Sequence, residues 1–349
     1  MNLSAADGLT VGFEEELQLV HAQSHSLQPD ASTVLDSARD ELRSHEAVHE
    51  LRLSQIETVS PVCHSLDEVA AQLCRLRGEV VQAARAEGNR IVSAGTHPFS
   101  RWQDQPFTPK DRYQEIKEEY QQLAREQVIF GLHIHVGIED RDVAVQVLNR
   151  FRPWLCVLLA LSANSPFWNG RDTGYSSYRT ELWSRWPLSG APAYFESFSD
   201  YQNTCQALVD CGLLEDVTKI YWDARVSSNV PTVEIRICDA CTRVEDVVML
   251  TGLVRALAEV ALTDHHEGRP AAAIPQEVLC AASWHAARYG LQDTLPDVAA
   301  RKASPAHELV QKMLDHARPA LERNDDWPQV SRLVDKTLTN GNGVQRQRE

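Results

Sequence analysis

Three short stretches place acidic, imidazole and guanidinium side chains at alternate positions: "GFEEELQLV" (12–20), "GLHIHVGI" (131–138) and "PTVEIRIC" (231–238). In an extended chain successive side chains point to opposite faces. Glu14, Glu16 and Gln18 therefore share one face, with Phe13, Leu17 and Leu19 on the other. His133 and His135 in the same way oppose Leu132, Ile134 and Val136, while Thr232, Glu234 and Arg236 oppose Val233, Ile235 and Ile237. Two carboxylates at alternate strand positions lie about 7 Å apart, and they repel unless a cation sits between them.

If the three strands share a sheet, their polar faces line one trough holding Glu14, Glu16, His133, His135, Glu234 and Arg236. Carboxylates on rigid strands suit hard cations such as magnesium or manganese, which take oxygen ligands and often accompany phosphates. An arginine among them can make paired hydrogen bonds to a phosphoryl group or a carboxylate. The chemistry indicated is metal-assisted phosphoryl transfer from a nucleotide. Each stretch alone has a plainer reading: a solvated strand face, two hydrogen-bonded histidines, or a weak surface ion pair between Glu234 and Arg236. Their conjunction brings the trough level with the plainer readings, and pattern alone goes no further. The chain has no G-x-x-x-x-G-K-[ST], G-x-G-x-x-G or G-x-S-x-G, so a nucleotide would be held around metal instead of in a glycine cradle.

Positioning these residues requires strands at 11–20, 48–58, 90–95, 128–138 and 232–238. Ser65 and Glu68 form a capping-box pattern opening a long helix that Gly88 stops. A charged helix is expected over 110–128, and a longer one over 141–163 that Pro153 starts anew or kinks. Residues 162–192, rich in Gly, Pro, Ser, Arg and aromatics, read as a functional loop. Two helices are expected between 199 and 222, and another beginning at Thr242 with Glu245 in the capping-box position. From 264 onward the pattern is helical, and 339–349 reads as a frayed, disordered tail. The expected organisation is α+β: one domain with a mainly antiparallel sheet, helices on one face, a core over 1–265 and a helical part over 266–338.

The 349 residues are 43% hydrophobic and 24% charged, with a formal net charge of -15. That charge disfavours nucleic acid or an anionic membrane as partner. No basic, apolar leader precedes the first strand, and no run reaches the roughly 18 apolar residues of a membrane span. A cytoplasmic protein is expected, its eight cysteines serving mostly as small buried hydrophobes. The C-x-x-C at Cys238 and Cys241 lacks the second pair of a zinc site. An exposed sheet edge would make a homodimer unsurprising.

The segments "GFEEELQLV", "QIETVSPVC", "AGTHPFSRW", "FGLHIHVGI", "LSANSPFWNGRDTGYSSYR" and "TVEIRICD" occur in the order of the bacterial carboxylate-amine ligases called glutamate-cysteine ligase type 2. The chain resembles that family, of the glutamine synthetase-like superfamily, over roughly residues 10–265. The resemblance implies a curved antiparallel sheet that binds ATP and Mg2+ or Mn2+ and joins an acid to an amine through an acyl phosphate. It implies that Glu14, Glu16 and Glu234 bind metal, and that Glu57, Arg179 and Arg236 serve the chemistry. His133, His135, Arg225 and Ser165 would contact ATP or the small-molecule acid and amine. A phosphotransferase acting on a guanidinium and a metal-dependent hydrolase are the competing enzymes, and a decayed binding scaffold is the non-enzymatic alternative. The acid and amine themselves stay open.

Overall fold

The computed structural model describes residues 8–349. Strands β1 (Val11–His21), β2 (Ala47–His49), β3 (Gln55–Val59), β4 (Asn89–Val92) and β5 (Gly131–Gly137) belong to one antiparallel sheet. After a small ribbon, β6 (Phe167–Trp168) and β7 (Arg171–Asp172), the sheet is completed by β8 (Ala224–Val226) and β9 (Thr232–Asp239). A second ribbon, β10 (Thr294–Asp297) and β11 (Lys302–Pro305), lies apart. The order across the sheet is β2-β3-β1-β5-β9-β8. β1 pairs with β3 through Glu14–Gln18, and its other edge is shared by β5 at Val11–Glu15 and β4 at Gln18–His21.

The helices are α1 (Ala31–Ser37), α2 (Leu66–Ala86), α3 (Asp111–Tyr120), α4 (Gln122–Glu126), α5 (Arg141–Phe151), α6 (Leu155–Ser162), α7 (Tyr178–Trp183), α8 (Phe198–Asp210), α9 (Val244–His266), α10 (Gln276–Tyr289), α11 (Ala306–Arg323), α12 (Trp327–Asn340) and α13 (Gly343–Arg348). The apolar face of the sheet, from Phe13 and Leu17 to Ile134 and Ile235, joins α2, α5, α6 and α9 in one core. Each fully buried leucine or isoleucine there contributes about 1.5–3 kcal/mol of burial. This is the α+β arrangement expected, a mainly antiparallel sheet with helices packed on its apolar face.

Local signals explain several elements. Ser65 caps α2 by accepting from the Glu68 amide at 3.1 Å, and Gly88 at φ +73° ends it. Asp140 caps α5 through the Val143 amide. Glu15 shares the core face with Phe13 and is fully buried, but Arg77 of α2 meets it, with Nε 2.7 Å from Oε2. Arg77 also donates to the Cys241 and Thr242 carbonyls, tying α2 to the junction of β9 and α9.

Other boundaries differ from expectation. The stretch 48–58 is two strands, β2 and β3, folded back on each other with Glu50 and Arg52 in the turn. Gln121 at φ 46° splits the helix expected over 110–128. Pro153 sits in a single 3-10 turn between α5 and α6. Residues 141–162 have the length and hydropathy of a membrane span, contrary to the sequence count, yet 72% of the apolar window is buried in the core. The 162–192 loop contains α7, capped by Ser177. Only α8 and a 3-10 turn at Val217–Lys219 occupy 199–222. The helix expected from Thr242 begins at Val244 without a side-chain cap, because the Thr242 hydroxyl donates to the Ser93 carbonyl. The frayed tail expected over 339–349 is instead helical: α12 runs to Asn340, and Asn342 with Gln345 forms a capping box for α13. All eight cysteines are free; Cys63, Cys156, Cys205, Cys238 and Cys241 are buried, and Cys74, Cys211 and Cys280 are exposed.

Candidate functional site

The sheet register brings the polar strand positions together. Glu14 lies opposite His133, and Glu16 opposite Glu57. His135, Glu234 and Arg225 form a row across β5, β9 and β8. An irregularity between Leu132 and Ile134 makes Asp239, not Cys238, the partner of Gly131, which carries Asp239 onto the polar side. A cavity of about 370 Å³ opens on this face, lined by Glu14, Glu16, Glu57, His133, Arg179, Arg225 and Arg236.

Two acidic clusters lie at its wall. In the first, Glu14 Oε2 is 3.1 Å from His133 Nδ1, Glu14 Oε1 is 3.4 Å from His135 Nε2, and Glu234 Oε1 is 3.8 Å from His133 Nδ1. Burial opposes ionisation of Glu14, but hydrogen bonds with both histidines outweigh it and hold the carboxyl well below its usual range. Glu234 is buried too, and Arg236 and Arg225 hold its carboxyl low. Both its oxygens are engaged, Oε2 by Arg225 Nε at 2.7 Å and Oε1 by Arg236 Nη1. Burial pushes the His133 imidazole down to about 4, helped by Arg236. His135 goes the other way: burial lowers it, but Glu14 and Glu234 raise it above the ordinary histidine value.

The second cluster is Glu16, Glu50 and Glu57, with ligand oxygens within 4.8 Å of one another. Burial and the Glu50 carboxylate raise Glu16 to about 8. Burial and the Glu50, Glu14 and Glu16 carboxylates raise Glu57 well above its ordinary value, and Glu50 is raised chiefly by burial. Three carboxylates this close cannot all ionise without added positive charge. Glu50 lies in the turn between β2 and β3, which a single strand over 48–58 does not anticipate, and the sequence carries no signal that sets it apart from other acids. The nearby arginine in that turn is buried. That arginine, Arg52, donates to the carbonyls of Gln105, Ala124, Arg125 and Gln127 and lies 3.8 Å from the Phe107 ring, pinning the segment around α3 and α4 beside the cavity.

Arg179 reaches the site from α7. Its guanidinium donates to the Ile237 and Arg236 carbonyls at 3.3 Å and crosses Gly131, where an added Cβ would meet Nη2 at 2.4 Å. Asp239 Oδ1 lies 3.9 Å from Arg179 Nη1. Ser165, expected to contact ligand, is fully buried away from the cavity lining: its hydroxyl donates to Asp239 and accepts from the Arg179 amide. His135 and Glu234 stand just behind the lining residues. Asp239, Glu50 and an aromatic wall of Tyr113, Trp183, Trp186 and Tyr221 are the lining or supporting residues that strand alternation missed. The Nε atoms of Arg179 and Arg236 are buried without a protein acceptor.

The family description Glutamate-cysteine ligase family 2 (GCS2) matches residues 10–349. A Rhodopirellula baltica protein named "Putative glutamate--cysteine ligase 2" is 44% identical over 343 residues, covering 97% of this chain and 92% of its own. A Saccharopolyspora erythraea relative, "Putative glutamate--cysteine ligase 2-1", is 39% identical over 98% of this chain and 90% of its own. Among solved structures, glutamate–cysteine ligase from Francisella tularensis in complex with AMP superposes with a TM-score of 0.73 at 12% identity, covering 97% of this chain and 84% of that one. A bifunctional glutathione synthetase from Pasteurella multocida gives 0.66 at 15% identity, covering 95% and 47%. At these identities the structural likenesses speak for the fold alone, whereas the match across the chain decides the kinship: the protein belongs to glutamate-cysteine ligase family 2.

Proposed function

We propose that the chain is an ATP-dependent carboxylate-amine ligase, nominally joining the γ-carboxylate of glutamate to the amine of cysteine. The observation that carries this reading is the convergence of two acidic clusters and three arginines on one face of a family 2 sheet.

The donor sets fit a hard divalent cation. Glu16, Glu50 and Glu57 offer only carboxylate oxygens, and their raised pKa values show a cluster short of positive charge. Glu14, His133 and Glu234 form the second set, in which Glu234 is already shared with two arginines. Magnesium or manganese held by these residues would neutralise triphosphate charge and polarise the transferring phosphoryl group.

A free carboxylate resists attack by an amine because its leaving group would be oxide. In the proposed reaction a substrate carboxylate oxygen attacks the γ-phosphorus of ATP, forming the acyl phosphate as the bond to ADP breaks. The amine nitrogen then bonds the acyl carbon, phosphate departs with the former carboxylate oxygen, and the nitrogen gives up a proton. Arg179, Arg225 and Arg236 supply positive charge where the phosphoryl group would pass, and the unpaired Nε groups of Arg179 and Arg236 are donors in reserve. His133, driven towards its neutral form, suits a hydrogen-bonding role beside that path.

The test is incubation with ATP, magnesium and a pool of amino acids, followed by mass spectrometry. A product equal to acid plus amine minus water, lost in a Glu16→Ala control, supports the ligase and names its substrates. ADP without condensation points to a phosphotransferase, and absence of ATP turnover counts against the reading.

A further inference from the structure

The C-terminal helix reaches into the support of the site. Gln347 Nε2 lies 2.9 Å from the Asn164 carbonyl and 2.7 Å from its Oδ1. Gly343 sits so close that an added Cβ would fall 2.1 Å from Asn164 Oδ1. Arg348 holds both carboxylate oxygens of Asp172 through Nε and Nη2, at 2.9 and 2.8 Å, and Nη2 also donates to the Tyr175 carbonyl. Asn342 donates to the Ala160 carbonyl, and Arg346 pairs with Asp246. The helix and its N-cap thus grip the segment from Ala160 to Tyr175, just before α7.

Asn164 passes the contact inward. Its amide donates to Asp239 Oδ2 at 2.8 Å, and its Nδ2 donates to the Ala240 carbonyl at 2.8 Å. The next residue, Ser165, donates to the same Asp239 oxygen at 2.7 Å and accepts from the Arg179 amide at 3.1 Å. Ser177 donates to Asp239 Oδ1 at 2.8 Å, the oxygen facing the Arg179 guanidinium. Each group is fixed by at least one neighbour in the chain from Gln347 to Arg179.

We propose that α13 is a positioning clamp for Arg179, with Gln347 and Asn164 as its positioning residues: the hydrogen bonds from Gln347 hold Asn164, and Asn164 with Ser165 and Asp239 sets the guanidinium over Gly131. The role assigned to Arg179 rests on the ligase reading, but the clamp itself does not. Packing alone would tolerate Gln347→Glu, which keeps the shape and loses the two donor contacts. The clamp does not tolerate it, because a carboxylate would face two acceptors of Asn164.

The test uses the full chain with Gln347→Glu, Gln347→Ala and Gly343→Ala, read first by amide hydrogen exchange. Expected is faster exchange at the amides of Ser165, Ser177 and Arg179 in all three variants, with β1 and α2 unchanged and, in the two Gln347 variants, melting temperature near that of the parent. Once a ligase substrate pair is in hand, kcat should fall by up to about 100-fold while KM for ATP changes little. Unchanged exchange across 163–179 would overturn the clamp whatever the enzyme does, as would kcat and KM equal to the parent's in Gln347→Glu. Faster exchange in a protein whose parent turns over no ATP would leave the clamp standing and remove the ligase reading.

Discussion

Glu234 places one carboxylate oxygen on Arg225 and the other on Arg236 inside a buried row. Truncating it leaves two cations without their partner, a change that costs about 3–5 kcal/mol. Glu234→Ala is therefore expected to lower stability in urea unfolding by that amount as well as to abolish ATP turnover. Half-buried Glu14, whose partners are histidines able to go neutral, should lose turnover at far smaller cost in stability. Glu16 and its neighbours Glu50 and Glu57 make a different prediction. Their folded pKa values are raised, Glu16 from 4.5 to about 8, so their contribution to stability is full below the unfolded value and is lost as pH climbs through the folded one. In protein kept free of divalent cations with a chelator, the unfolding free energy should fall between about pH 5 and about pH 8.5, and Glu57→Gln should flatten that fall. At this scale the sequence spoke clearly wherever alternation applied: Glu14, Glu16, His133 and Arg236 line one cavity because side chains alternate along each strand. Glu50 was hidden by a turn, and Ser165 was misplaced because sequence order alone does not say which way a loop hydroxyl points.

Elements couple through buried charges as well as apolar contacts. Glu15 on β1 and Arg77 on α2 form such a link, and Arg77 extends it to the start of α9. Glu15→Ala should destabilise the fold by about 3–5 kcal/mol, measured by denaturant unfolding, and leave the turnover per folded molecule close to the parent's, because the side chain faces away from the cavity. The strands were legible from period 2 and α2 from its cap and stop. The turn inside 48–58 was not, since "HELRLSQIE" has neither glycine nor proline to announce the reversal. The irregularity in the β5–β9 pairing was equally silent: it depends on how two strands meet, and neither strand alone records it. Gln121 broke a helix without glycine or proline to announce the break.

Across the whole molecule, Arg52 joins the β2–β3 turn to the carbonyls of residues 105–127, which carry Tyr113 and Ile116 on one wall of the cavity. It is buried at 2% exposure, and burial lowers its guanidinium to about 10. Arg52→Met should keep the sheet yet free four carbonyls, so limited proteolysis should cut within 105–127 faster while circular dichroism stays near the parent's. The layered architecture was readable because each strand shows one apolar side. The ordered C-terminal helix was not, because "GNGVQRQRE" has the composition of a tail and its helix depends on contacts with Asn164, Asp172 and Asp246 that only the folded chain supplies.

β1, β5 and β9 each turn one set of alternate residues to the cavity and the other to the core. Inserting or deleting a single residue in any of them would exchange the two sets beyond that point, sending leucines to the wet side and glutamates among the helices. Point substitutions can erode chemistry while leaving the fold, but length changes in these strands strike both together. Lineages descended from this scaffold should therefore vary in loop lengths and side chains far more freely than in strand lengths, since the sheet serves as a ruler marked on both sides.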